Sequence, residues 1–169
     1  INGTLAPLLP YVLTNLSIET FWQTPAVATW MLARVGVTAI MWRSEGWHGK
    51  WSILWMAIIA MAVGFTFIFA ASGLAMLFMG LIMFGSGMGV TYYAGLYYAM
   101  AVGRARFDAA GTHEALIGTG YAVGPLAGLI AISFSSSHSS ETPTPLIATV
   151  SCLLIAAGGA LWLIWRKAR

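Results

Sequence analysis

Six runs of mostly apolar residues, joined by short connections that are polar or rich in Gly, Ser and Pro, fill nearly the whole chain. They lie at about residues 1–16, 21–42, 51–71, 74–100, 114–134 and 145–165. A membrane-spanning helix needs ~20 mostly apolar residues, because a rise of about 1.5 Å per residue must cross roughly 30 Å of hydrocarbon. In lipid every backbone N–H and C=O has to be satisfied internally, which makes helices the solution for runs of this length. The spacing predicts an all-α, polytopic membrane protein: one domain over residues 1–169, built as a six-transmembrane-helix bundle. The fourth run is the longest and is expected to tilt or to emerge from the bilayer.

Composition agrees. Hydrophobic residues make up 59% and charged residues 8%, with a mean hydropathy of +0.82, whereas a soluble domain carries roughly 25% charged residues. The lone cysteine, Cys152, rules out a disulfide framework within one chain. Basic residues are scattered through short loops and form no stripe, so no nucleic-acid partner is expected.

Their placement sets an orientation. Arg43 and Lys50 fall between runs two and three, Arg104 and Arg106 between four and five, and Arg166, Lys167 and Arg169 after six. The connections on the opposite side carry no Lys or Arg, so seven of the eight basic residues share one side. By the positive-inside rule that side is cytoplasmic, and with an even number of passes both ends lie there. The chain begins at Ile1, within or at the edge of an apolar run and without a signal-peptide pattern. It therefore reads as part of a larger protein.

Polar residues are uneven among the runs. The third and sixth are nearly pure hydrocarbon, whereas the first, second, fourth and fifth carry Tyr11, Asn15, Gln23, Thr29, Arg34, Thr38, Ser86, Thr91, Tyr92, Tyr93, Tyr97, Tyr98, Thr119 and Tyr121. Lipid favours helices that are apolar all round and a water-filled cavity favours polar side chains. Runs one, two, four and five are expected to line a cavity, with three and six behind them.

The fifth run carries Gly120, Gly124 and Gly128 at intervals of four, with Pro125 after the second. Glycine costs ~1 kcal/mol and interior proline ~3 kcal/mol relative to alanine in a helix in water. In lipid both are tolerated, and a stripe of small residues lets helix backbones approach closely. The stripe, on a helix bent at Pro125, is expected to be a packing surface against run two or against Gly85 and Gly89 of run four.

With Gly111, these residues spell G-x(8)-G-x(3)-G-P-x(2)-G. In this the chain resembles one six-helix half of a major facilitator superfamily transporter, although Leu129 stands where the family pattern often has a further glycine. Such a motif occurs on the fifth helix of the first half in drug/proton antiporters, and the equivalent helix of the second half can carry a similar one. The loop Arg43-Ser-Glu-Gly-Trp-His-Gly-Lys50 holds a carboxylate, glycines and cations where the family has approximately G-x(3)-D-R-x-G-R-R, in a different order. That departure, the start inside a helix and the short tail point to the C-terminal half. Tyr92 to Met100 followed by Thr112 to Gly118 also resembles second halves of bacterial members, which places the chain in a bacterial cytoplasmic (inner) membrane.

The resemblance implies secondary transport of a small solute by alternating access, one bundle rocking against the other. It also implies the other six-helix half as a partner. No Walker-type loop is present, so a proton or sodium gradient, or the solute's own gradient, would supply the energy. No cofactor is expected. Paired catalytic acids are absent from the runs, so an enzyme is not expected. A non-transporting receptor or scaffold that retains the fold is the alternative.

Arg34 is the one charge well inside a run, and something must solvate it: cavity water, an anionic substrate or a carboxylate such as Glu114. Tyr93 and Tyr97 lie four apart on one helix face and suit either an aromatic wall for solute or an interfacial belt. Arg34, Tyr93, Tyr97, Tyr121, Tyr11 and Asn15 are thus the candidates for substrate binding or coupling. His113 and Glu114 open run five as a candidate gate or proton relay, since histidine titrates near neutral pH. Glu114 would equally stabilise the first turn of its helix. His48 and His113 with one adjacent carboxylate and no Cys cluster fall short of a zinc ligand set, so no metal site is expected.

Overall fold

The structure, a computed structural model, describes residues 2–102, 111, 114–115, 117–126, 159, 162 and 166, without the side chains of 2–4, 6, 7, 11, 15, 20 and 102. Every regular element among these residues is helical and none is a strand. Four helices are defined: α1 (Asn2–Asn15), α2 (Thr20–Arg43), α3 (Ser52–Phe69) and α4 (Leu74–Val102). Residues 114–115 and 117–126 are also helical, within the expected fifth run. The sixth run lies outside the described residues apart from 159, 162 and 166, which are helical.

Among the described residues three helices are long and apolar enough to cross a membrane: Phe21–Arg43, Ser52–Phe69 and Leu74–Ala101. α1 is not among them. Its 14 residues reach about 21 Å. It is closed by Ser17, whose φ of 49° is left-handed, with Ser17 N–H donating to the Thr14 carbonyl and Ile18 N–H to that of Leu13. This is the paired 5→2 and 6→1 closure usually made with glycine, and Ile18 packs onto the cluster that holds Leu13.

Both α2 and α3 pack on α4. Toward the Ser17 end, Leu5, Leu9 and Leu13 of α1 join Trp30 of α2, Phe65 and Ile68 of α3, and Leu77, Leu81 and Phe84 of α4 in one buried cluster. Toward the Arg43 end a smaller cluster gathers Met41, Trp47, Leu54 and Ala94 under Trp51, Tyr93, Tyr97 and Tyr98.

Glycine sets how near the backbones come. A Cβ on Gly64 of α3 would lie 2.5 Å from the Phe84 nitrogen, and one on Gly80 would lie 2.8 Å from the Gly64 oxygen. Gly87 faces the Ala57 oxygen in the same way at 2.6 Å. On the opposite side of α4, Gly85 abuts the Trp30 carbonyl and Gly89 the Arg34 carbonyl. The tight glycine contacts among the described residues therefore join α4 to α2 and α3. In the 111–126 segment no described atom lies within 4 Å of a Cβ built on Gly111 or Gly120. Gly124 is buried and Pro125 half-buried, and Gly128 is outside the described residues.

Candidate functional site

Beyond Gly89, the glycines of α4 give way to Tyr92 and Tyr93, and α2 and α4 border a cleft of about 460 Å³. Met31, Val35, Ala39 and Trp42 form its apolar wall, with Arg34 and Thr38 from α2 and Tyr92 and Tyr93 from α4. On α2 these residues recur at three- and four-residue steps, which places them along one face.

Among the described residues Arg34 is the single charged one lining this cleft. Its guanidinium carbon lies 4.9 Å from the centroid of the Tyr92 ring, within the range of a cation–π contact that contributes from about 0.5 to 2 kcal/mol as it is desolvated. The Arg34 guanidinium makes no hydrogen bond or ion pair to another described residue. The Tyr92 hydroxyl donates to Glu114 Oε1 at 3.5 Å, so Glu114 is tied to Arg34 through the tyrosine and not by direct pairing. An arginine at the centre of a membrane helix costs ~2.5–3.5 kcal/mol even on the lenient insertion scale. A cleft that admits water or an anion lowers that cost.

The other tyrosines hold the α2–α3 connection. Trp47 is buried, and its Nε1 donates to the Met41 carbonyl at 3.0 Å. Its ring meets Tyr93 at 5.7 Å and Tyr97 at 5.0 Å between centroids. His48 lies flat on Tyr97, 4.3 Å apart at 4°, and Trp51 on Tyr98 at 5.6 Å and 13°. Gly49, at φ 74°, supplies the left-handed residue that the tight turn between His48 and Trp51 requires. Tyr93 thus serves both the cleft and this ring cluster, whereas Tyr97 belongs to the ring cluster.

The threonines expected to face a cavity have local partners. The hydroxyls of Thr29, Thr38, Thr91 and Thr119 donate to the carbonyls of Pro25, Arg34, Gly87 and Ala115, each four residues back. A hydroxyl satisfied this way can face lipid, so these positions give no weight to a water-filled cavity.

Of the remaining candidates, Tyr121 is exposed on the 117–126 segment and does not line the cleft. The side chains of Tyr11 and Asn15, and residue His113, lie outside the described residues. Among the described residues no three His, Cys, Asp or Glu come together as a metal site would need. Sequence reading missed Trp47; the available signal was a large aromatic between glycines in an otherwise charged loop, Glu45-Gly-Trp-His-Gly-Lys50.

Comparison with family models, with curated proteins and with solved structures finds no match for this chain.

Proposed function

We propose that the chain is one six-helix half, the C-terminal one, of a secondary transporter of the major facilitator type, moving a small solute across a bacterial inner membrane by alternating access. The observation that carries this is the α2–α4 cleft, where Arg34 is the one charge among the described lining residues and has no ion-pair partner among them. It lies along the spanning helix that is least apolar, at mean hydropathy 1.2 against 2.3 for α3 and 1.8 for α4, and also least covered by the rest of the protein. The exposed surface of that helix sets Arg34 among large apolar side chains such as Met31, Val35 and Trp42, a mixed face that the facing half of a transporter with its aqueous pathway would suit. The coupling ion would be a proton or sodium, and both ends of the segment would be cytoplasmic by the distribution of Lys and Arg.

The test is accessibility. Thr38→Cys in a Cys152→Ser background places one thiol in the cleft wall. In right-side-out and inside-out vesicles an impermeant thiol reagent should label it from both faces, the balance shifting under an imposed proton or sodium gradient. Labelling from one face under every gradient refutes alternating access and favours a receptor or scaffold.

A further inference from the structure

We infer that the α2–α4 cleft binds a monoanionic carboxylate with an apolar body, such as a short aliphatic or aromatic acid; this rests on the reading of the cleft as the solute site. Five observations converge. Among the described residues the guanidinium of Arg34 is the only charge lining the cleft, and it has no hydrogen-bonding or ionic partner there. Its carbon lies 4.9 Å from the Tyr92 ring centroid, a contact that leaves its N–H groups in need of an acceptor, and the guanidinium is a planar fork that matches a carboxylate through two parallel hydrogen bonds.

The hydroxyls of Thr38 and Tyr92 already donate, to the Arg34 carbonyl at 2.9 Å and to Glu114 at 3.5 Å, and the remaining hydroxyl of the lining, that of Tyr93, is neutral. Recognition of a charged group therefore falls on Arg34. The walls of Met31, Val35, Ala39 and Trp42 offer an acid's hydrocarbon part a place out of water. A volume of about 460 Å³ lies in the range of small-molecule sites, roughly 300–1,000 Å³.

The same features exclude other classes. One cation balances one negative charge, and a dianion such as hydrogen phosphate would bring a second charge against apolar walls with Glu114 just behind Tyr92. An organic cation would meet the like charge of Arg34 in the lining, whereas Glu114 stands behind Tyr92 and outside it. A neutral amide of the same shape would fit but would forgo the charge-assisted pair.

Equilibrium binding of radiolabelled benzoate and hexanoate to the full-length protein in lipid nanodiscs, with benzamide, hexanamide and benzylamine as competitors, decides the matter. Saturable binding of the two acids is expected, with the amides competing roughly tenfold to a hundredfold more weakly and the amine not at all. Arg34→Gln should remove the preference for acid over amide. Arg34→Lys should keep part of it, because it retains the charge and loses the fork. Equal competition by acid and amide overturns the inference, as does Arg34→Gln with undiminished acid preference, or no saturable binding of either acid. If Arg34→Gln fails to give monodisperse protein, the acid-to-amide ratio of the unaltered protein decides alone. Acid that binds but never exchanges across proteoliposomes upholds this inference and removes the transport reading. Two-sided labelling of Thr38→Cys with no acid bound does the reverse.

Discussion

Toward α3, α4 presents Gly80 and Gly87 to backbone oxygens and meets Gly64 in return, and bulky apolar side chains such as Phe65, Leu81 and Phe84 close the space around them. Toward α2 it presents Gly85 and Gly89 to the Trp30 and Arg34 carbonyls, and one turn later Tyr92 and Tyr93 border an open cleft. The same helix uses the same residue type on both faces, yet one face is sealed and the other opens. The difference lies in the neighbours of the glycines along the chain. Small residues draw two backbones together; a pair of tyrosines directly after them stands the helices apart, and the gap is walled by whatever α2 places there. Closeness and cavity are thus adjacent on one helix because its composition changes within a turn.

The comparison can be broken first on the sealed face. Gly64→Leu should abolish recovery of monodisperse protein on size-exclusion chromatography, because even a Cβ there would stand 2.5 Å from the Phe84 nitrogen and no flexible neighbour can yield. Recovery at the level of the unaltered protein would mean that α3 and α4 are not in close backbone contact at Gly64. On the opening face Gly85→Ala should be milder, about 1–3 kcal/mol as overpacking usually costs. It should lower the apparent Tm and weaken benzoate binding, since α2 has to move off α4 beside the cleft. An unchanged Tm would contradict the contact with the Trp30 carbonyl. The smallest effect belongs to the tyrosine end. Trp47→Phe keeps the ring against Tyr93 and Tyr97 but loses the bond to the Met41 carbonyl, at about 0.5–1.5 kcal/mol. That carbonyl still accepts from Ser44 N–H at 3.3 Å, so it is not orphaned, and a larger drop in Tm would assign Trp47 a second role.

Helix bounds were legible in the sequence because they depend on local things. The runs at about 21–42, 51–71 and 74–100 correspond to Thr20–Arg43, Ser52–Phe69 and Leu74–Val102, and a hydropathy change or a Gly/Ser pair marks each end. Arg34 was legible for the same reason, as one charge in an apolar run. What the side chains and glycines pack against was not. The spacing of Gly120, Gly124 and Gly128 advertises a single packing face, whereas Gly80, Gly85, Gly87 and Gly89 are irregular because they serve two partners at once. A regular period is easy to see and a shared helix has none. The threonines carry little weight either way because residue type reports a hydroxyl and not its partner, which here is the carbonyl four residues back. Tyr97 could be assigned to the ring cluster only once His48 was seen lying flat on it, since nothing local in the sequence brings those two rings together.

The length of α4 has a consequence for the lipid. Its 29 residues extend about 43 Å, roughly 13 Å more than the hydrocarbon of an ordinary bilayer. With Leu74 at one boundary, an upright helix would leave the Tyr93-to-Val102 end in the headgroup layer, where amphipathic rings settle. The stacks of His48 on Tyr97 and Trp51 on Tyr98 then act as a float at that surface. Lipids with longer acyl chains reduce the mismatch and stand α4 more upright, whereas shorter ones tilt it. Because Gly85 and Gly89 fasten α4 to α2 on the side of the cleft, such a tilt bears on the gap in which Arg34 sits. Membrane thickness thereby bears on the width of that gap.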